Sequence, residues 1–394
     1  MSNSNQYWAL PDGINEALPV DAARLERLRR ELLDLYASWG YQLVIPPLVE
    51  YLESLRIAQG TELDIQTFKL TDQLNGRMMG VRADMTPQVA RMDAHKLHAN
   101  EINRLCYIGT VLRTRSFHRD GSRAPLQVGA ELFGHEGIDS DLEVLALLIQ
   151  TLMQSHVPDI LLGIGHVGIF TGLVTHANFS EVEQKQYLNI LERKSLPELD
   201  AWLAQQSCDT ESRAMLLALP RLYGGTEVLD TARQAFAKAN QTVLQALDYL
   251  QTVVVRLQND FPSCRIHIDL AELSGYSYHT GIVYAAYTPG SGREIARGGR
   301  YDGIGEAFGR ARPATGFSTN LHDLVRYLPS STTPNSAILA PAQLDSKLDQ
   351  AIAELRAQGE CVVRLLDGQT TTASDLGLTR QLVQTNGQWI LSKA

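Results

Sequence analysis

The chain has 394 residues, 44% of them hydrophobic and 20% charged, and its 35 lysines and arginines against 44 aspartates and glutamates give a net charge of −9. This composition excludes disordered, collagen-like and low-complexity proteins, and without a basic block it argues against non-specific nucleic-acid binding. The four widely spaced cysteines fit neither a zinc knuckle nor a disulfide framework. With no secretion signal and no apolar stretch long enough for a bilayer, we expect a cytoplasmic protein that has no membrane segment.

The first third of the chain predicts a helix and then antiparallel strands. Leucines recur at helical spacing over 21–39 ahead of Gly40, the pattern of an amphipathic helix with a glycine at its end. The segment 41–51 is β-branched and contains two prolines, which predicts a strand at an edge or an interface. Further strands are predicted at 67–70, 77–83, 104–114 and 125–134, with a helix starting near Asp139.

The rest of the chain predicts an insertion and a small second domain. A strand is predicted at 159–170, and the leucine-, alanine-, glutamate- and glutamine-rich stretch at about 180–258 predicts a helical insertion. Strand texture returns at 265–273, 281–287 and 293–299, and after a linker at 330–335 a strand–helix–strand pattern occupies 337–341, 344–359 and 361–366. We therefore expect an α+β domain over 1–330 and a small α/β domain over 336–394.

Motifs for common catalytic and metal sites are missing from the sequence. It has no H-E-x-x-H, no G-x-S-x-G and no Walker loop. His95 and His98 share a predicted helix face but lack a third ligand, so we expect a solvated face rather than a metal site. No metal and no cofactor are therefore predicted.

Polar residues gather at the ends of the predicted strands. They are Asp84 and Thr86, then Arg113, then Gln127 and Glu131 on a single strand. Strand alternation puts Gln127 and Glu131 on one face, opposite apolar neighbours. The set is either an ordinary solvent-facing alternation or a pocket for a zwitterion, in which Glu131 takes an ammonium, Arg113 a carboxylate, and Asp84 with Thr86 a side chain. The residues alone leave both interpretations open.

Several segments, in chain order, resemble the catalytic core of histidyl-tRNA synthetase, a class II aminoacyl-tRNA synthetase. The resemblance covers residues 5 to about 325 and implies an antiparallel sheet with flanking helices and a self-dimer through the motif 1 region. Residues 22–51 resemble the family's motif 1, and 82-RADMT-86 resembles its histidine-reading segment. Residues 107–134 resemble motif 2 and 316–324 resemble motif 3. Residues 274–284, followed by 298-GGRYDG-303, resemble the histidine-specific segment.

The ATP side of the family's site is changed in this chain. Of the family's three arginines only Arg113 remains, because Ser274 and Asp323 occupy the other two positions. Arg115 replaces the glutamate and Pro125 the phenylalanine that contact adenine in the family. Since adenylation needs cations on the phosphates, the resemblance implies that ATP is not activated here, and we expect Asp323 to repel a triphosphate.

The amino-acid side of the site is kept better. Asp84 replaces the family's glutamate and His279 its second tyrosine. The resemblance implies that free histidine binds to Asp84, Thr86, Arg113, Gln127, Glu131, Tyr278 and His279.

A synthetase core without ATP contacts, with R-A-D-M-T and a short tail, resembles the regulatory subunits of ATP phosphoribosyltransferase. That resemblance implies a non-catalytic chain that joins the short-form catalytic subunit in a hetero-octamer and activates it. It also implies that the chain mediates feedback inhibition by histidine in the first step of histidine biosynthesis. The alternatives are a scaffold without ligand, a synthetase-like ligase acting on something other than tRNA, and an active histidine–tRNA ligase.

Overall fold

The computed structural model describes residues 8–57, 64–97, 101–116, 121–273, 278–329 and 335–394. The chain divides into two compact units, Met1–Leu328 and Pro329–Ala394. Three parts of the sequence interpretation, His98, Ser274 with the start of its segment, and linker residues 330–334, lie outside the described residues.

The first unit is built on one large sheet and one small one. Its strands are β1 Gln42–Leu43, β2 Val49–Tyr51, β3 Phe68–Thr71, β4 Met78–Val81, β5 Asn103–Thr110, β6 Leu126–Phe133, β7 Leu161–His166, β8 Tyr223–Gly224, β9 Arg265–Asp269, β10 Ile282–Tyr287, β11 Ala296–Arg300 and β12 Ala314–Asn320. Among the described residues, nine strands form the large sheet in the order β1-β5-β6-β12-β11-β10-β7-β9-β8, and β2-β4-β3 form the small one. Neighbours are antiparallel except β1–β5 and β7–β9.

Helices cover the large sheet and fill the insertion. They are α1 Pro19–Ser38, α2 Leu52–Ile57, α3 Thr86–Met92, α4 Ile138–Gln154, α5 Val167–His176, α6 Glu181–Glu192, α7 Leu196–Leu203, α8 Thr210–Ala218, α9 Val228–Ala235, α10 Gln241–Asp260 and α11 Leu321–Leu324. The predicted helices over 21–39 and from Asp139 are thus confirmed as α1 and α4. No helix in the described part of the chain is long and apolar enough to cross a membrane.

The two faces of the large sheet differ in chemistry. On one face, Val128 and Ala130 of β6, Tyr284 of β10 and Phe317 of β12 pack into the main core, together with α1, α4 and α5. This burial of apolar area is the main term that stabilises the unit. The opposite face carries a smaller cluster around Tyr107 and α3 beside a row of polar residues and glycines. The architecture is the α+β class that the sequence predicts.

Several predicted strands are wrong in extent, since 104–114, 159–170 and 265–273 each end four residues early and 41–51 is interrupted. The segment 41–51 is not one strand, because β1 and β2 belong to different sheets and Pro46 with Pro47 lies between them; proline cannot donate to a ladder. The predicted strand 159–170 ends at His166, where the Gly168 amide donates to His166 Nδ1 at 3.0 Å. That hydrogen bond caps α5, so the chain turns into a helix four residues before the predicted end.

The second unit is a four-stranded sheet with one helix. Its elements are β13 Asn335–Ala340, α12 Ser346–Ala357, β14 Val362–Arg364, β15 Leu378–Thr385 and β16 Gln388–Lys393, and the strand order is β14-β13-β15-β16. The hairpin of β15 and β16 was not predicted, although Asn386 and Gly387 have the positive φ of 52° and 75° that a tight hairpin turn requires.

Candidate functional site

A strip of buried glycines crosses the face of the large sheet opposite the main core. In the strand register Glu131 of β6 lies opposite Gly316 of β12, and Gly316 lies opposite Gly299 of β11. A Cβ on Gly316 would lie 1.5 Å from Glu131 Oε2, and a Cβ on Gly299 would lie 2.8 Å from the His279 ring. In the next row Gly129 leaves room for the Tyr107 hydroxyl, 2.5 Å from where a Cβ would stand. We call Gly129, Gly299 and Gly316 the glycine floor, because only residues without a side chain fit there.

Glu131 is a buried carboxyl at one end of this floor. It is 1% exposed, and its Oε1 accepts hydrogen bonds from Thr86 Oγ1 and the Tyr107 hydroxyl, both at 2.9 Å. Its Oε2 accepts from the Tyr301 hydroxyl. Burial raises the pKa of Glu131 to about 8, although the three hydroxyl donors oppose that shift. A cation at this position would gain a carboxylate already held in place by three donors.

Gln127 and Asp84 hold the start of α3 against β6. Gln127 Oε1 accepts from the Met85 amide at 3.0 Å, and Gln127 Nε2 donates to Asp84 Oδ1 at 3.1 Å. Asp84 Oδ1 also accepts from the Thr86 amide at 2.9 Å. Three other predicted site residues, Asp84, Thr86 and Gln127, therefore form one hydrogen-bond network with Glu131, and the network is largely buried rather than a solvent-facing alternation.

Arg113 brings positive charge to the other side of Gln127. Its Nε donates to the Ala83 carbonyl at 3.1 Å. Burial lowers the pKa of Arg113 to about 10, against the attraction of Asp84 and with the repulsion of Arg297. Arg113 and Gln127 line a cavity that is open to solvent. Its other polar walls include Ser116, Ser122, Arg293, Arg297, Ser318, Asn320 and Asp323.

Tyr278 and His279 lie at the far end of the glycine floor. Their ring centroids are 4.1 Å apart, and Tyr278 is 43% exposed. Thr280 anchors the segment, since its amide donates to the Arg300 carbonyl at 2.8 Å and its hydroxyl donates to Asp302 at 3.1 Å. His279 lies over Gly299, in the row that contains Glu131, and Tyr278 packs against His279.

Asp323 does not present an unbalanced negative charge. Its Oδ1 accepts from Arg293 at 2.7 Å, and its Oδ2 accepts from Asn320 Nδ2 at 3.0 Å. The repulsion of a triphosphate expected from the sequence is therefore offset by the neighbouring guanidinium. The change at position 323 still removes a cation, but the carboxylate that replaces it is paired.

Some residues of the pocket were not among the predicted ones. Tyr107 and Tyr301 both donate to Glu131, and Gly316 makes room for it. Neither tyrosine follows from alternation along a strand, because the pairing of β5 with β6 brings Tyr107 to Glu131 and the approach of β11 to β6 through β12 brings Tyr301 there. Among the described residues, no group of three or more histidine, cysteine or acidic side chains could hold a metal ion.

Comparison with known proteins identifies the family. A family model described as histidyl-tRNA synthetase matches residues 13–324, and one described as the ATP phosphoribosyltransferase subunit HisZ C-terminal domain matches residues 335–392. The ATP phosphoribosyltransferase regulatory subunit of Thioalkalivibrio sulfidiphilus is 52% identical over 100% of both chains. This chain belongs to the family of ATP phosphoribosyltransferase regulatory subunits.

Solved structures agree with membership of the regulatory-subunit family. An ATP phosphoribosyltransferase regulatory subunit/histidyl-tRNA synthetase from Bacillus halodurans C is 27% identical with a TM-score of 0.82, over 97% of this chain and 99% of that one. A chain of the ATP phosphoribosyl transferase (HisG:HisZ) complex from Thermotoga maritima is similar in fold, at 19% identity and a TM-score of 0.59 over 78% and 98% of the two chains. The predicted family and the class II synthetase-like sheet with flanking helices are both confirmed. In this chain the region that matches the histidyl-tRNA synthetase model precedes the region that matches the HisZ C-terminal domain model.

Proposed function

We propose that this regulatory subunit binds free histidine on the glycine floor and uses it to control a catalytic partner. The observation that carries the proposal is the separation of charge along one strip of the sheet. Glu131 offers a buried acceptor for an ammonium, and Arg113 offers a guanidinium for a carboxylate on the other side of Gln127. The glycine floor has no side chains of its own, and the Tyr107 hydroxyl, the Glu131 carboxyl and the His279 ring pack over it.

The imidazole of the ligand is assigned to the remaining polar residues of the strip. Asp84 and Thr86 lie beside Glu131, and Tyr278 with His279 lies at the far end. A neutral imidazole has one donor and one acceptor nitrogen, which a carboxylate and a hydroxyl can satisfy. Asp84 is shorter than the family's glutamate, so a bridging water is part of this proposal.

The same chain is proposed to be catalytically silent. Arg115 and Pro125 stand where the synthetase family contacts adenine, and Asp323 stands where it holds a phosphate. Arg293 balances the charge of Asp323 but is itself engaged in that ion pair. Loss of one preorganised electrostatic contact lowers a rate by about 10²–10³. Histidine-dependent ATP–pyrophosphate exchange by this chain would refute this part and restore the ligase alternatives.

The name of the relatives implies the partner. A regulatory subunit acts on a catalytic one, and we assign here the short-form ATP phosphoribosyltransferase catalytic subunit, in a cytoplasmic hetero-octamer. Residues 1–330 and 336–394 would be the two domains of the regulatory chain. A self-dimer is assigned to the motif 1 region, where β1 is an edge strand and Leu43, Ile45 and Leu48 are exposed. An exposed apolar edge of this kind is a common site of association.

The experiment is the rate of phosphoribosyl-ATP formation by the short-form catalytic subunit alone and with this chain, each with and without histidine. We expect this chain to raise the rate and histidine to reverse the increase. No effect of the chain at any ratio would contradict the proposal. Activation that histidine leaves unchanged would refute the feedback role alone.

A scaffold without ligand is the second candidate function, and one observation favours it. Glu131, Thr86, Gln127 and Asp84 are already hydrogen-bonded to each other and to Tyr107, so the network is closed without a ligand. Such a network would stabilise the fold by itself. Calorimetry of this chain with histidine separates the two, because a scaffold gives no binding heat.

A further inference from the structure

Arg300, the last residue of β11, connects the two faces of the large sheet. The next residue, Tyr301, donates its hydroxyl to Glu131 on the side of the glycine floor. Because successive residues of an extended chain point to opposite faces, the Arg300 side chain runs the other way. It reaches the first turn of α4, where its Nε donates to Asp141 Oδ2 at 2.9 Å and its Nη2 donates to Ser140 Oγ at 2.7 Å. Two consecutive residues thus join the pocket to the helices on the core side of the sheet.

Arg300 also holds the segment that carries His279. Its carbonyl accepts from the Thr280 amide at 2.8 Å, and its Nη1 donates to Asp302 Oδ1 at 3.2 Å. Asp302 Oδ2 in turn accepts from the Thr280 hydroxyl at 3.1 Å. The side chain of Arg300 is only 8% exposed, so both ends of the strip depend on one buried residue.

The helical insertion reaches this buried ion pair through one hydroxyl group. Tyr249 of α10 donates to Asp141 Oδ2, the oxygen that also accepts from Arg300. Asp141 is fully buried, and within the described ranges its Oδ1 has no hydrogen-bond partner. The Tyr249 ring packs edge-on against His166, with ring centroids 5.4 Å apart, which fixes the direction of the hydroxyl. A buried carboxylate with so few donors depends strongly on each of them.

We propose that Tyr249 is a positioning residue for the ligand, acting from the helical insertion through Asp141 and Arg300. Loss of its hydroxyl leaves Asp141 without one of its donors and frees the ion pair to shift. The Tyr301 hydroxyl at Glu131 then loses its fixed position.

The same contact works in the opposite direction, because linkage between two sites is reciprocal. If the attachment of α10 improves ligand binding, a bound ligand stabilises the attachment of α10 by the same factor. Occupancy of the glycine floor is therefore sensed by the helical insertion. The assignment rests on the proposed function, because it adds regulation to the same site.

Calorimetry with L-histidine and amide hydrogen exchange of the full-length chain test this role, since exchange reports local opening. In the unsubstituted chain we expect saturating histidine to slow exchange in β6 and in α10. Tyr249→Phe removes the hydroxyl but keeps the ring against His166. In this variant histidine affinity should fall by about fivefold or more, the lower end of usual couplings between sites. Saturating histidine should still slow exchange in β6 but no longer in α10.

Tyr223→Phe, which removes an exposed hydroxyl on β8, is the matched control and should change neither measurement. If histidine binds to the unsubstituted chain without slowing exchange in α10, the site and the insertion are not coupled. If Tyr249→Phe keeps its histidine affinity, or if histidine still slows exchange in its α10, Tyr249 is only a structural residue of the insertion. Absence of histidine binding by the unsubstituted chain would instead refute the proposed function, and this role with it.

Discussion

At the scale of single residues, Glu131 is a buried carboxyl whose lost hydration is offset by hydrogen bonds. A buried carboxylate loses its hydration, yet here three hydroxyl groups donate to its two oxygens. The raised pKa of about 8 means that the carboxyl is protonated near neutral pH in the chain without ligand. An arriving ammonium would favour the ionised form, so ligand binding and proton release are expected to be linked.

Glu131→Ala should abolish the histidine response and leave activation of the catalytic subunit largely intact. The reason is that the substitution removes the acceptor for the ammonium without touching the exposed surface, and a hydrogen bond between charged groups contributes about 1.5–3 kcal/mol. Inhibition curves with histidine measure this directly. The control is Glu181→Ala, an exposed carboxylate at the start of α6. Unchanged inhibition in Glu131→Ala would take Glu131 out of the site.

Glu131 also makes a prediction about pH. Its pKa is about 8 in the folded chain against an ordinary 4.5. Between these values the unfolded chain has lost the proton that the folded chain keeps, so the free energy of unfolding falls as pH rises and levels off above about 8. Glu131→Gln cannot titrate and should show a flatter profile over that window. Urea denaturation at several pH values measures both slopes, and equal slopes would contradict the raised pKa.

The residues of the pocket were predictable only in part. Asp84, Thr86, Gln127 and Glu131 could be selected because polar side chains at strand ends stand out in the sequence. Tyr301 could not, since its relation to Glu131 depends on the order of β6, β12 and β11 in the sheet. Sequence shows which side chains share a strand face, whereas the neighbour of a strand is set by long-range pairing.

At the scale of elements, β12 shapes the pocket because its Gly316 has no side chain. It lies between β6 and β11, and Gly316 leaves space for the Glu131 carboxyl. The Tyr284 hydroxyl donates to the Gly316 carbonyl at 2.9 Å from the core side. The backbone at Gly316 is therefore fixed from the core side, and on the other side the Glu131 carboxyl packs over it.

Gly316→Ala should disrupt the pocket, because the new Cβ would lie 1.5 Å from Glu131 Oε2 and the carboxyl would have to leave its three donors. We expect loss of histidine binding and a destabilisation of about 1–3 kcal/mol, the usual cost of overpacking. Gly303→Ala is the matched control, since nothing lies within 4 Å of its Cβ position. Calorimetry and thermal unfolding of both variants test this. A Gly316→Ala chain that still binds histidine normally would contradict the proposed role of the glycine floor in binding.

Elements with a strong periodic pattern were predicted well, and those defined by local caps were not. Helix α1 follows from its leucine spacing, whereas the end of β7 depends on one hydrogen bond from Gly168 to His166. The hairpin of β15 and β16 had a recognisable Asn-Gly turn, but its flanking residues alternate weakly, with both faces of β16 largely exposed.

At the scale of the whole molecule, every residue of the proposed site lies in the unit Met1–Leu328. The second unit has its own apolar cluster around Ile338, Leu348 and Ile352. A chain that ends at Leu328 should therefore bind histidine with unchanged affinity, as measured by calorimetry beside the full-length chain. A large loss of affinity in the shortened chain would mean that residues 329–394 contribute to the site.

Two tyrosines, Tyr107 and Tyr301, donate to Glu131, and this has an optical consequence. The four tryptophans of the chain are Trp8, Trp39, Trp202 and Trp389, and none of them is among the residues that form the pocket wall or its floor. Filling the pocket by itself should leave tryptophan emission nearly unchanged while it alters tyrosine absorbance. A change in tryptophan emission when histidine is added would then report movement elsewhere in the chain. Tyrosine absorbance would measure occupancy of the site, and tryptophan emission would measure the conformational response to it.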